Sequence, residues 1–131
     1  NIKISTLQND QPSEYNTLIR LTLTTDRRSR SVAGSIFGGQ SRIVEIKGIK
    51  IDAELGNFNV YLTNKDKVGV INSVTQVLTK NNINIATFNL GRVSPEGEAI
   101  ALIQTDQICD EPILNYLRKI KNVNQVKSIV I

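Results

Sequence analysis

Leu62-Thr63-Asn64-Lys65-Asp66-Lys67-Val68-Gly69-Val70-Ile71 is a corner at which one periodicity stops and another starts. Ahead of it Phe58, Val60 and Leu62 alternate, as in a strand with one face buried. Behind it Ile71, Val74, Val77 and Leu78 recur at helical spacing. Two more alternating runs, residues 83–90 and 99–105, are joined by Ser94-Pro95-Glu96-Gly97, whose proline and glycine mark a turn. Asp110 is placed to cap a second helix that tolerates Pro112 in its first turn and buries Ile113, Leu114, Leu117 and Ile120. Residues 123–131 close as a strand. The order β-α-β-β-α-β predicts a ferredoxin-like unit, an antiparallel four-stranded sheet with both helices on one face. Its other face and one sheet edge are then left for a second subunit.

Working outward from this unit, the first part of the chain reads as strands without helices. They are residues 3–6, 15–25 and 31–37, then a hairpin of 42–46 with 49–53 around Lys47-Gly48. The fold class is therefore α+β, an antiparallel β segment over residues 1–55 followed by the ferredoxin-like domain over 56–131. No amphipathic helix precedes residue 68, so the first sheet needs cover either from the second half of the chain or from material upstream of Asn1. A strand-like opening that begins on asparagine suits an excised or processed piece.

With 131 residues, 40% of them hydrophobic, the chain can bury one core or two small ones packed together. Its net charge of +4 is spread evenly, as residues 1–54 and 55–131 each carry eight basic and six acidic side chains. That describes a solvated surface better than a nucleic-acid stripe. The dense basic cluster is Arg27, Arg28 and Arg30, read as an exposed loop or an anion site. A single cysteine, Cys109, excludes an internal disulfide and fits a reducing, cytoplasmic compartment. No apolar run is long enough to span a membrane.

There is no histidine, no serine–histidine–acid set and no phosphate loop, so no catalytic residue and no metal site is expected in this chain. Gly34, Gly38 and Gly39 lack the strand–turn–helix context of a dinucleotide fingerprint and read as a bulge or close packing in a sheet. The corner is more informative. Gly69 lets a ligand approach the backbone, and the first N–H groups of the helix, on Gly69, Val70 and Ile71, make a seat for a carboxylate. Asp66 suits an ammonium group, and Asn64 offers both donor and acceptor. Together they would hold the two charged ends of an amino acid; the plainer alternative is that Asp66 or Asn64 caps the helix.

Residues 64–71 resemble the Asp/Asn-Arg-Pro-Gly-Val corner of ACT domains, and Asn82-Ile83-Asn84-Ile85-Ala86 resembles their Val/Ile-Asn-Ile motif. Gly91-Arg92 and Gly97-Glu98-Ala99 are similar to the version found in D-3-phosphoglycerate dehydrogenases. Upstream, residues 31–39 and 42–46 resemble the intervening, allosteric substrate-binding domain of the same family. Val68 stands where the family commonly has proline. The resemblance implies the C-terminal regulatory part of such a dehydrogenase, with its helical intervening portion and its NAD-dependent catalytic domains elsewhere in the parent chain and no cofactor here. It implies L-serine as effector at an interface between ACT domains of a homo-oligomer, with Asn64 and Asp66 from one subunit and Asn84 from its neighbour. Arg42 matches a basic position of the intervening domain and is implied in anion binding, while Glu54 stands where some members carry a second basic residue. The regulatory part of an iron–sulfur L-serine dehydratase is similar to the same tandem. An RNA-binding module shares the topology, but it would display more aromatic rings than Phe88 on its central strands.

Overall fold

The computed structural model describes residues 5–6, 15 and 17–131; the strand expected at 3–6 lies largely outside them. The first sheet is a meander of β1 (Leu18–Thr24), β2 (Ser29–Phe37), β3 (Gln40–Ile46) and β4 (Ile49–Ala53), in that order and antiparallel throughout. Gly38 and Gly39 make the β2–β3 turn with positive φ, and Lys47-Gly48 makes the β3–β4 turn with φ of 53° and 77°. Two left-handed residues in succession give the twist that a two-residue hairpin needs. Gly34 falls at a bulge between β2 and β3, the role expected of it.

The second unit runs β5 (Phe58–Lys65), α1 (Val70–Lys80), β6 (Ile85–Arg92), β7 (Glu98–Thr105), α2 (Glu111–Arg118) and β8 (Val123–Val130). Its sheet order β6-β7-β5-β8 is the ferredoxin-like arrangement. β6 is therefore an edge strand, and Phe88 packs partly buried against the helix-side core instead of presenting a ring for stacking on a central strand. The ends of both helices are set by local chemistry. The Asp110 carboxylate accepts the Ile113 N–H at 3.2 Å, and Pro112 sits in the first turn of α2. α1 stops on Asn82, which takes φ of 55° while the Ile83 N–H donates to the Leu78 carbonyl and the Asn82 N–H to that of Thr79. This is the paired closure that asparagine permits in place of glycine.

On the helix side, Val60, Leu62, Ala101, Ile103 and Val126 of the sheet meet Val74, Leu78, Ile113, Leu114 and Leu117. Each fully buried aliphatic side chain there contributes roughly 1.5–3 kcal/mol. The other face is covered by the first sheet: Ile49, Ile51 and Ala53 pack on Tyr61, Ile100 and Leu102. The approach is close at Gly91, where a Cβ would stand 2.3 Å from the Lys50 carbonyl oxygen.

Cover runs out across the first sheet. Along the cross-strand row Ile49–Ile46–Val32–Leu21, exposure climbs from 4% at Ile49 to 66% at Leu21. Along Ala53–Ile43–Gly34–Ile19 it climbs from 0% at Ala53 to 65% at Ile19. The second half of the chain thus buries one end of the first sheet's apolar face and leaves the rest open as a groove of about 460 Å³ lined by Ile19, Leu21, Ile36, Ile43, Leu55 and Ile131.

Candidate functional site

The β5–α1 corner is tied to the β6–β7 turn by three contacts. The Asp66 N–H donates to the Gly97 carbonyl at 2.8 Å, Arg92 Nη1 donates to Asp66 Oδ2 at 2.8 Å, and Lys67 Nζ meets Glu96 Oε2 at 3.0 Å. Asn64, buried between β7 and β8, donates through Nδ2 to the Lys65 carbonyl at 2.8 Å. Its side-chain oxygen is left to accept.

Gly69 is the N-cap of α1 and has φ of 89°, a left-handed conformation. A Cβ added there would meet nothing within 4 Å, so glycine is required by the backbone angle and the space above it is open. No side chain caps the helix. The plain alternative for Asp66 and Asn64 is therefore not what the fold uses them for, since Asp66 is turned to Arg92 and Asn64 to the backbone. Of the three donors singled out in the sequence, Val70 is buried and its N–H turns inward onto the Lys67 carbonyl at 3.3 Å, while Ile71 is exposed beside the fully exposed Val68. The opening of α1 is thus a bare helix start that presents positive dipole and unclaimed N–H groups to solvent.

Asn84 lies elsewhere. Its Nδ2 donates to Asp106 Oδ2 at 2.6 Å, and its carbonyl accepts the Asp106 N–H at 3.2 Å. In register, Arg92 at the far end of β6 faces Ala99, which faces Asn64, while Ile85 faces Thr105, which faces Phe58. Asn84 is one strand length from the corner, roughly 25 Å at 3.3 Å per residue. Within one chain the two do not meet, so any ligand touching both must lie between two chains.

Arg42 has its Nε on Asp52 and its Nη1 on Glu54 Oε1 at 2.7 Å. The hydrogen bond to Asp52 and the charges of both carboxylates hold its pKa above the ordinary arginine value. An anion at Arg42 would have to displace two acids. Cys109 is buried and its thiol pushed up by that burial, which suits packing and not nucleophilic chemistry. Among the described residues no group of three or more acidic, cysteine or histidine side chains is placed to hold a metal, and no helix is long and apolar enough to cross a membrane. Two features were not singled out in the sequence: the Arg92–Asp66 pair, which joins residues 26 positions apart, and the part Asn82 plays in ending α1.

A family model described as the D-3-phosphoglycerate dehydrogenase intervening domain matches residues 1–47. A D-3-phosphoglycerate dehydrogenase of Bacillus subtilis (strain 168) is 36% identical over 120 residues, 89% of this chain and 22% of the relative. A probable L-serine dehydratase beta chain of the same organism is 30% identical over 111 residues, 84% of this chain and 50% of the relative. The solution structure of the ACT domain from the GTP pyrophosphokinase of Chlorobium tepidum aligns at a TM-score of 0.44 and 24% identity, covering 55% of this chain and 83% of that one. The chain spans about a fifth of the length of the dehydrogenases it matches. Across both of its sheets it is homologous to the intervening and ACT regulatory region of D-3-phosphoglycerate dehydrogenases.

Proposed function

We propose that the chain is the amino-acid-sensing segment of a cytoplasmic D-3-phosphoglycerate dehydrogenase and binds L-serine where two copies of its ACT domain meet. The intervening segment is assigned to residues 1–55 and the ACT domain to 56–131. The observation that carries the reading is the uncapped, open start of α1 at Gly69, with Asn64 and Asp66 beside it. The serine carboxylate takes the N–H groups of Gly69 and Ile71, that of Val70 being turned inward onto the Lys67 carbonyl, and the ammonium shares the Asp66 carboxylate with Arg92. Asn84 of the second copy completes the polar contacts, which its distance from the corner within one chain requires. Serine bound across two copies favours their association, and that association biases the NAD-dependent catalytic domains of the parent chain.

Calorimetry with L-serine tests this on the wild type, Asp66→Ala and Asn84→Ala, with dimer mass followed by sedimentation. Loss of a hydrogen bond to a charged group costs roughly 1.5–3 kcal/mol, so each variant is expected to bind about ten-fold or more weakly. The wild type should gain mass with serine. No binding at millimolar serine, or equal binding by all three proteins, overturns the reading. The match to half of the L-serine dehydratase beta chain favours a second parent, in which the same corner regulates serine breakdown. An NAD-binding domain ahead of this segment in the parent chain decides for the dehydrogenase, and an iron–sulfur partner subunit for the dehydratase.

A further inference from the structure

Besides the effector corner, the molecule has a polar cleft of about 660 Å³ where the β3–β4 turn of the first sheet approaches the start of β7. That volume is within the usual range of small-molecule sites. Arg20, Arg30 and Lys47 line it from the first sheet and Glu98 from the second. Arg20 is already matched by Glu45. Arg30 and Lys47 are not: Arg30 Nη1 donates only to the carbonyl of its neighbour Ser29 at 3.1 Å, and neither residue has an ion-pair partner among the described residues.

The cleft holds these charges in place. Lys47 occupies a left-handed turn position, its N–H donates to the Ser31 carbonyl at 2.8 Å, and its ammonium rests 5.7 Å from the centroid of the Tyr61 ring. The Tyr61 hydroxyl beneath is buried and has no hydrogen-bond partner. Arg28 and Lys127 stand close enough for their charges to be felt at Lys47. Desolvation first, and then repulsion from Arg30, Arg28 and Lys127, lowers the Lys47 pKa against the opposing pull of Glu98. Of the three cations that line this space Arg20 is matched by Glu45, so Arg30 and Lys47 face Glu98 as the one acidic lining residue, an excess of positive charge that suits a compact anion.

We propose that this cleft binds a phosphate group, received by the Arg30 guanidinium and the Lys47 ammonium with Ser31 at its side. Arginine supplies a forked pair of donors and lysine a point charge, a combination suited to a tetrahedral oxyanion. The site is separate from Arg42, whose guanidinium lies in the wall of the apolar groove and is taken up by Asp52 and Glu54. It is also independent of serine binding at the α1 corner.

The test is an amide NMR titration of the chain with inorganic phosphate, glycerol phosphate and, at matched ionic strength, sodium chloride. Saturable shifts centred on Ser31, Lys47 and Gly48 with either phosphate are expected, and none with chloride. Arg30→Gln and Lys47→Asn should each weaken binding about ten-fold; asparagine keeps the left-handed turn. Arg42→Gln should leave affinity unchanged, and Glu98→Gln, by removing the opposing charge, should tighten binding a few-fold. Tighter binding of the ester identifies an organic phosphate and equal affinity the free ion; both support the site. Equal shifts with chloride, no saturation at millimolar phosphate, or a loss in Arg42→Gln as large as in Lys47→Asn overturns it.

Discussion

Leu62 and Leu21 both sit within antiparallel strands, yet Leu62 is 1% exposed and Leu21 66%. The second sheet has two helices on one face and β4 on the other, so its central strands β5 and β7 are buried nearly throughout. Among the described residues the first sheet has a partner only under β4, and every residue of β1 is exposed. Alternation of apolar residues therefore fixes which side of a strand is to be buried but not what buries it. Cover is a property of neighbouring layers, which a local pattern does not encode.

The contrast can be broken most directly by truncating one leucine in each sheet's neighbourhood. Leu78→Ala, in the core beneath the second sheet, should lower stability by about 2–5 kcal/mol, and Leu21→Ala should stay within about 0.5 kcal/mol, both read from urea denaturation midpoints. A cost at Leu21 approaching that at Leu78 would mean that the open end of the first sheet's apolar face is covered in solution.

A smaller effect sharpens the comparison at the helix side. Asp110→Ala removes the acceptor of the Ile113 N–H and should cost about 1 kcal/mol. Asp66→Ala, close to the start of α1 but not capping it, should cost less than Asp110→Ala. Equal costs would show that Asp66 does cap α1 in solution.

The smallest effect is expected at the seam between the sheets. Tyr61→Phe deletes a buried hydroxyl that has no partner, so stability should be unchanged or higher by up to about 1 kcal/mol. A loss of stability would show that the hydroxyl is bonded, most simply through water held in the cleft beside Lys47.

The second unit was legible element by element because its signals are local: alternation, helical spacing, Asp110 before Pro112, and the Ser94–Gly97 turn. The β3–β4 hairpin was legible for the same reason, since Lys47-Gly48 selects its turn. The corner could be located from its residue types, but the partners of those residues could not. Arg92 reaches Asp66 only because β6 returns through β7 to the end of β5, and Asp52 with Glu54 reach Arg42 only through the hairpin register. The cleft around Lys47 was invisible for a related reason. Arg30 reads as part of a basic loop until the sheets pack and bring Lys47, Tyr61 and Glu98 to it.

Gly91 gives that packing a mechanical consequence. It precedes Arg92, the residue that grips the β5–α1 corner through Asp66, and its bare backbone lies against the carbonyl of Lys50. β6 is thus a shared beam, loaded at one point by the first sheet and, one residue on, by the corner. Alanine at Gly91 would act as a shim, since its methyl group would have to stand where the Lys50 oxygen is. Either β4 would lift or β6 would sag, and strain set at the seam would reach Asp66 without any residue of the corner having been altered.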